Sequence, residues 1–469
     1  MNNVKRIVKD LSRLIGRNKV SSDPAVLALH NRDAAYLYGD SQIVVYPEST
    51  EDIRNIVRYC YKNDLRIYPQ GGSSELTGSS IPRDDGIIMS FIRMDRILEY
   101  SPIDRYIVVE PGLRLIELNN FLGKDGYFFP IDPASVKSAT VGGAINTGAG
   151  GLKGFRFGSI RDWVIGLEIV LPDEDATVLR IGSKTFKSRE GYDLTRLIVG
   201  SEGTLAIVSK AILKFMRKPG DIISVAAFFK DLHSLMEAVL NLLESPLDII
   251  IMEFVDANTV EMVKSHRDIS LEGSGHMLIV GSLAKEYRSK EVAREIVERL
   301  VESGGENIQY AYDMDEAEKK GIYTIRRGFY TTLIERAARE TSNPILYIED
   351  ISVPPSKLPD VVKEIEDIIE RYGIPTGLAG HIGDGNLHPT MYITDPKDEE
   401  KLKKMGEEIM MVALKYDGVI SSEHGIGLMK KDMLVKAFKY RDSEKALTIM
   451  RDIKKIFDPK NILNPDKVL

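Results

Sequence analysis

The chain has 469 residues, of which 43% are hydrophobic and 28% charged, with a formal net charge of -7. That length exceeds one ordinary core and implies two or three domains of roughly 150 residues each, while the acidic balance excludes a nucleic-acid partner. Cys60 is the only cysteine, so no disulfide framework and no cysteine-held zinc or iron–sulfur site can be built within the chain, and a reducing compartment such as the cytoplasm fits.

No run reaches the roughly 18 uninterrupted apolar residues that span a bilayer. At the N-terminus Val4, Ile7, Val8, Leu11, Leu14 and Ile15 recur at helical spacing among Lys5, Arg6, Lys9, Arg13 and Arg17, which predicts an amphipathic basic helix. Such a helix packs on the first domain or lies on an anionic membrane surface, and packing is the expectation. Val44 to Tyr46 reads as a strand, Ile53 to Asn63 as a helix with Thr50 as its cap, and Leu65 to Tyr68 as a second strand. This unit delivers Pro69-Gln70-Gly71-Gly72-Ser73-Ser74-Glu75-Leu76-Thr77-Gly78 at a strand's carboxyl end, where open α/β sheets bind ligands. Glycines let backbone N–H groups press on a ligand and the hydroxyls add donors, a chemistry that suits a pyrophosphate. The loop is not a Walker loop, since no Gly-Lys-Ser/Thr follows, and Pro82 argues against a dinucleotide fingerprint opening a long helix.

Short strands are expected at Ile87 to Ser90, Ile97 to Tyr100 and Tyr106 to Val109, then a helix from Leu115 to Leu122. Asp132-Pro133-Ala134-Ser135 precedes Thr140-Val141-Gly142-Gly143-Ala144-Ile145-Asn146-Thr147-Gly148-Ala149-Gly150-Gly151, with five glycines in ten residues. That density reads as a buried loop rather than a helix, and the interleaved Val141, Ala144, Ile145 and Ala149 argue against a linker. A strand from Val164 to Leu171, the segment Gly200-Ser201-Glu202-Gly203-Thr204-Leu205-Ala206-Ile207, and a strand from Ala211 to Phe215 complete this half.

Together the three glycine motifs resemble the FAD domain of the vanillyl-alcohol oxidase, or PCMH-type, flavoprotein family. The resemblance implies that Pro69, Gly71, Gly72, Ser73, Ser74, Thr77 and Gly78 form the pyrophosphate loop. It implies that Pro133, Ser135, Thr140, Gly142, Gly143 and Gly150 line the flavin, and that Glu202, Gly203 and Ile207 complete the pocket. Ser73 stands where glycine is frequent, and Gly148 where the subgroup has asparagine. The first loop lacks the histidine that often carries a covalent flavin, so noncovalent FAD is expected.

After Lys218-Pro219-Gly220 the pattern changes to alternating strands and helices: strands at Ile222 to Phe229, Asp248 to Phe254, Met277 to Gly281 and near Ile308 to Tyr312, with helices at His233 to Leu243 and Lys290 to Glu302. This predicts a separate α+β cap of ferredoxin-like type. The expected division is residues 1–217 for the FAD domain with its N-terminal helix, 218–435 for the substrate cap and 436–469 for a short helical segment returning to the flavin.

His381, His388 and His424, three of the seven histidines, fall in Gly380-His381-Ile382-Gly383-Asp384-Gly385-Asn386-Leu387-His388 and Glu423-His424-Gly425-Ile426-Gly427. The glycines make the first stretch a loop or irregular strand. Two imidazoles and a carboxylate can hold a divalent metal with open positions, as a Lewis-acid site needs, although satisfied turns use the same residues. These motifs resemble the C-terminal domain of the D-lactate, glycolate and D-2-hydroxyglutarate dehydrogenase group. By that resemblance His381, His388 and Glu423 bind a divalent metal, zinc with manganese or iron as alternatives; His424 is the base; Asn464 approaches the flavin; and Arg326 holds the substrate carboxylate, with Arg327 as its rival. Ile348 stands where 2-hydroxyglutarate enzymes carry a lysine, and Thr390 where they carry an asparagine.

The expectation is an FAD- and metal-dependent D-2-hydroxy-acid dehydrogenase acting on D-lactate or glycolate. Its electrons pass to a quinone, a cytochrome or a separate iron–sulfur subunit, in the cytoplasm or at the inner face of the membrane, from a monomer or homo-oligomer. The alternatives are a noncatalytic FAD subunit of a redox complex, a nonredox flavoenzyme like the alkyl-dihydroxyacetonephosphate synthases, whose Tyr-x-His-His-His run is absent, and a metallohydrolase.

Overall fold

Buried β-branched runs and amphipathic helices alternate along the chain, and the computed structural model shows how they pair. It describes residues 2–84, 86–267, 269, 271–341 and 344–469. The chain packs as two units, the first made of residues 1–150, 158–218 and 423–469, the second of 151–157 and 219–422.

Within the first unit, Ile43–Val45, Ile87–Ser90 and Ile67–Gln70 form a parallel sheet, with Val20–Ser21 antiparallel at its edge. The strand residues are almost wholly buried, as parallel strands covered on both faces require. The helix Thr50–Lys62 connects the first strand to the third; Ser49 rather than Thr50 caps it, accepting from the Asp52 N–H at 3.1 Å. The N-terminal helix Asn2–Ile15 buries Ile7, Leu11 and Ile15 in the same core as Ile53 and Val57. Its apolar face is therefore spent on packing. A second, antiparallel sheet runs in the order Ile97–Ser101, Tyr106–Val109, Ile207–Lys214, Val164–Val170, Val178–Gly182.

The glycine-rich stretch after Thr140 is a short helix, Val141–Thr147, and not the loop expected from its composition. The Thr140 side chain caps it by accepting from the Gly143 N–H, and Gly148 ends it at φ 74°, so cap and stop signals flank the glycines. Gly142 is needed for packing rather than flexibility, because a Cβ there would lie 2.6 Å from the Pro111 side chain. Residues 423–435, grouped with the cap on sequence, pack in the first unit. The Glu202 carboxylate accepts the N–H groups of Ile426 and Gly427 at 2.6 and 2.7 Å, and the Leu428 N–H reaches the Thr77 carbonyl at 2.8 Å.

The second unit is built on an antiparallel sheet in the order Glu306–Ala311, Asp221–Phe229, His276–Ala284, Ile249–Val255, Thr376–Gly380, Asn386–Ile393, Ile345–Ile348, with Ile351–Ser352 also paired to Asn386–Ile393. Helices Ala257–His266 and Thr324–Glu340 pack Val260, Val263, Ile325 and Phe329 into a core with Ile251, Val255 and Ile279. Among the described residues, no helix is long and apolar enough to cross a membrane.

Candidate active site

In the first unit the loop after Gln70 is organised by a residue that sequence reasoning left without a role. The Glu75 carboxylate accepts the N–H groups of Thr77, Gly78 and Ser80 at 2.8–3.1 Å and the Ser80 hydroxyl at 2.8 Å. The backbone donors of Thr77 and Gly78, expected on sequence at the pyrophosphate, are thus spent on Glu75, and the Thr77 hydroxyl donates to the His424 carbonyl at 3.2 Å. Among the described residues, the N–H groups of Gly71, Gly72, Ser73 and Ser74 have no protein acceptor. Ser73 sits at φ 49°, which explains why glycine suits that position. A Cβ on Gly71 would strike the Thr140 hydroxyl, and one on Gly72 the Ser138 carbonyl. The first two motifs touch through their glycines. Pro133 and Ser135 accept from the N–H groups of Val136, Ser138 and Ala139 at 2.8 Å, a tight turn that leads to Thr140.

The third motif joins them. The Glu202 N–H donates to the Asn146 carbonyl at 2.7 Å, and a Cβ on Gly203 would lie 2.8 Å from the Pro69 ring. Asn464 comes from the far end of the chain; its amide donates to the carbonyls of Ser79 and Glu202 at 2.9 and 2.7 Å. Ile207 opens the buried strand that follows. Three buried polar atoms around Glu202 lack a protein partner among the described residues: Asn146 Oδ1, Ser201 Oγ and Asn464 Oδ1. Such atoms are costly unless something pairs with them; the edge of a flavin offers an N–H for an amide oxygen to accept and carbonyls for the Ser201 hydroxyl to donate to. The residues fit FAD. Gly150 lies against Glu423, since a Cβ there would meet its carboxylate at 2.7 Å. Burial pushes the Glu202 carboxyl up to about 7, against the opposing pull of the two N–H groups it accepts.

In the second unit a carboxylate that the sequence did not mark stands at the centre. Antiparallel pairing of Phe254 with Gly380 and Val255 with Ala379 sets Glu253 opposite His381. Strand alternation turns Glu253 toward the same face as Ile251 and Val255, and so toward the helix Thr324–Glu340. Glu253 is fully buried. Its Oε1 lies 2.6 Å from His381 Nδ1, and its Oε2 accepts from Arg326 Nε at 2.7 Å. Among the described residues, the two Nη groups of Arg326 have no hydrogen-bond partner, although the side chain is only 12% exposed. Arg327 is half-exposed and engaged with Glu318 at 2.6 Å.

The His388 ring meets that of His381 edge to face, centroids 5.3 Å apart. Asp350, also fully buried, places an oxygen 3.7 Å from His388 Nδ1. The same carboxylate accepts from the Asn386 amide at 2.8 Å and from the Ser421 hydroxyl and Ser422 N–H, each at 2.9 Å. Burial also raises the Asp384 carboxyl above its ordinary value. On the strand Asn386–Ile393, Thr390 follows His388 by two residues and pairs with Ile348, so it shares the His388 face. Glu423 and His424 belong to the first unit, directly after the chain leaves the second at Ser422.

Fold and motifs together define a flavin-binding oxidoreductase of PCMH type. Residues 41–182 match the model described as "FAD binding domain", and residues 218–468 the model described as "FAD linked oxidases, C-terminal domain". The chain belongs to the family of FAD-linked oxidases. It is 31% identical to the glycolate oxidase subunit GlcD of Bacillus subtilis (strain 168), over 99% of this chain and 97% of that protein. It is 32% identical to the D-lactate dehydrogenase of Archaeoglobus fulgidus over 91% of each chain, and 29% identical to the D-2-hydroxyglutarate dehydrogenase of Stutzerimonas stutzeri over 98% of each. Among solved structures, p-cresol methylhydroxylase with substrate bound superposes with a TM-score of 0.79 over 100% of this chain and 97% of that one, at 15% identity. That likeness is one of fold.

Proposed function

We propose that this enzyme oxidises a small D-2-hydroxy acid, D-lactate or glycolate, to the 2-oxo acid, using noncovalent FAD and a divalent metal held by His381, His388 and Glu423. The observation that carries the reading is Arg326, which is held through Nε by Glu253 while its terminal nitrogens have no acceptor among the described residues. A nearly buried guanidinium fork left in that state suits a planar carboxylate. His381 shares the Glu253 carboxylate, so the metal-ligand histidine and the carboxylate-binding arginine belong to one constellation. Two imidazoles and a carboxylate form an open donor set.

When bound, the metal would lower the pKa of the substrate hydroxyl, and FAD would accept the hydride from C2 at N5. Arg326 fixes the carboxylate end of the substrate, and His424 takes the hydroxyl proton. The loop carrying His424 is held by Glu202 and by the Thr77 hydroxyl. Beside His388, the Thr390–Ile348 pair offers no cation, which supports a monocarboxylate over a dicarboxylate.

The test is an anaerobic absorbance titration of the metal-loaded protein with D-lactate, L-lactate, glycolate and D-2-hydroxyglutarate. Bleaching of the flavin band near about 450 nm by D-lactate or glycolate is expected. A flavin spectrum unmoved by every acid would overturn the proposal.

A further inference from the structure

We infer that Asp33 is a positioning residue for FAD: it shares one proton with Glu75 behind the loop of residues 71–78, and binding of the dinucleotide at that loop draws this proton in from solvent. The inference rests on the assignment of the loop to the FAD pyrophosphate.

Residues 30–39 form the back wall of the loop. His30 holds Gln70 twice, with Nδ1 2.5 Å from Oε1 and the His30 carbonyl accepting from Nε2 at 2.8 Å. The Leu37 side chain lies against Gly78, 2.8 Å from where a Cβ would stand. Between these two contacts comes Asp33, only 4% exposed. Its Oδ1 accepts the Leu37 N–H at 2.9 Å, whereas its Oδ2 is buried and receives no donor from any described residue. What the carboxyl faces is Glu75.

Two buried carboxylates that meet repel each other, and one proton between them turns a pair of acceptors into a hydrogen bond. Both Glu75 oxygens already accept, Oε2 from Thr77 and Gly78 and Oε1 from Ser80, so the proton belongs on Asp33 Oδ2. Burial first, and the Glu75 charge second, push the Asp33 carboxyl up to about 7. Beyond Glu75 stand Glu202 from the third motif and the Lys467 ammonium from the C-terminus. His30, on the same segment as Asp33, is engaged with Gln70 and Tyr46.

The N–H groups of Gly71, Gly72, Ser73 and Ser74, which have no protein acceptor among the described residues, come directly before Glu75 in the chain. An anion held by them sits next to the acid pair, which favours the form of the pair that keeps its proton. FAD therefore raises the Asp33 carboxyl further. By linkage, its affinity is full below about pH 7 and falls as the pH rises above that value. Asp33→Asn mimics the protonated pair at every pH, its amide oxygen accepting from Leu37 and its N–H donating to Glu75.

The test is FAD binding to the full chain stripped of flavin, followed by flavin fluorescence from about pH 6.5 to about pH 8.5 and by calorimetry at about pH 7.5 in two buffers of different ionisation enthalpy. The wild type should take up about half a proton or more and lose about fivefold in FAD affinity across the range. Asp33→Asn should match the wild type at the acid end and bind FAD about fivefold more tightly than it at the alkaline end, a gain that loss of a merely structural contact does not give. Glu202, which titrates in the same window, is present in both proteins and cancels from the comparison.

FAD bound by the wild type without proton uptake would overturn the inference without any variant having to fold. The same proton uptake and the same pH dependence in Asp33→Asn as in the wild type would overturn it as well, and would leave the loop's assignment standing. A wild type that binds no FAD would overturn that assignment and the inference with it.

Discussion

Arg326 and Arg327 are adjacent in sequence and chemically identical, yet their surroundings assign them different work. Arg327 meets Glu318 at a half-exposed position, where an ion pair contributes little. Arg326 is held nearly buried with its terminal nitrogens free of protein acceptors among the described residues. Arg326→Lys keeps the charge but loses the planar fork, and should lower kcat/KM for D-lactate by roughly 30- to 150-fold, the equivalent of about 2–3 kcal/mol. Arg327→Gln should stay within about twofold of the parent. Steady-state kinetics on both variants check this, and equal losses would remove the assignment of Arg326. From residue types alone both arginines were legible as candidates, but the partner that separates them was not. Glu253 sits in the strand Ile249–Val255, and nothing in its residue type marked it before the helix Thr324–Glu340 was seen to pack into the same core. Ser73 and Gly148, which depart from the commoner family pattern, both occupy the left-handed region, at φ 49° and 74°, so those departures concern backbone conformation.

At the scale of elements, the glycine motifs and most strands and helices were legible because local periodicity and turn chemistry determine them. The helix Val141–Thr147 was not, because its glycines are chosen by what packs on them. The clasp between Glu202 and the segment Gly425-Ile426-Gly427 was also invisible, since its partners lie more than two hundred positions apart. That clasp has a pH signature. The Glu202 carboxyl is raised by burial from an ordinary 4.5 to about 7, so the folded chain holds this proton more tightly than the unfolded chain does. The resulting contribution to stability is complete below about pH 4.5 and is lost as pH rises through about 7. Glu202→Gln cannot titrate, so the melting temperature of the parent minus that of the variant should decline across this window, and a flat difference would refute the shift. The register of Ile348 with Thr390 gives a second test on this scale. Ile348→Lys places an ammonium beside the strand that carries His388, and should raise the ratio of kcat/KM for D-2-hydroxyglutarate over D-lactate by about two- to fivefold, the effect of one exposed ion pair with a second substrate carboxylate. An unchanged ratio would mean that this edge of the sheet does not meet the substrate.

The whole chain passes between its two units at residues 150–151, 157–158, 218–219 and 422–423. The motif residues assigned to FAD, from Pro69 to Asn464, fall in the first unit, as does Glu423, whereas His381, His388, Glu253 and Arg326 fall in the second. No residue serves both the FAD motifs and the proposed metal set, so dinucleotide retention and metal retention should be separable. The buried polar atoms of Asn146, Ser201 and Asn464 that fit a flavin edge do not depend on any histidine of the second unit. Dialysis against a strong chelator should remove the metal, leave the FAD absorbance and stoichiometry within about a tenth of their starting values, and suppress flavin reduction by D-lactate about a hundredfold or more, as expected when Lewis-acid activation of the hydroxyl is lost. Return of zinc or manganese should restore reduction without added FAD. The opposite experiment should agree: FAD-depleted protein should still take up the metal, because imidazole ligands held by buried carboxylates are preorganised without the flavin. If chelation instead releases FAD together with the metal, the separate retention of the two ligands is refuted.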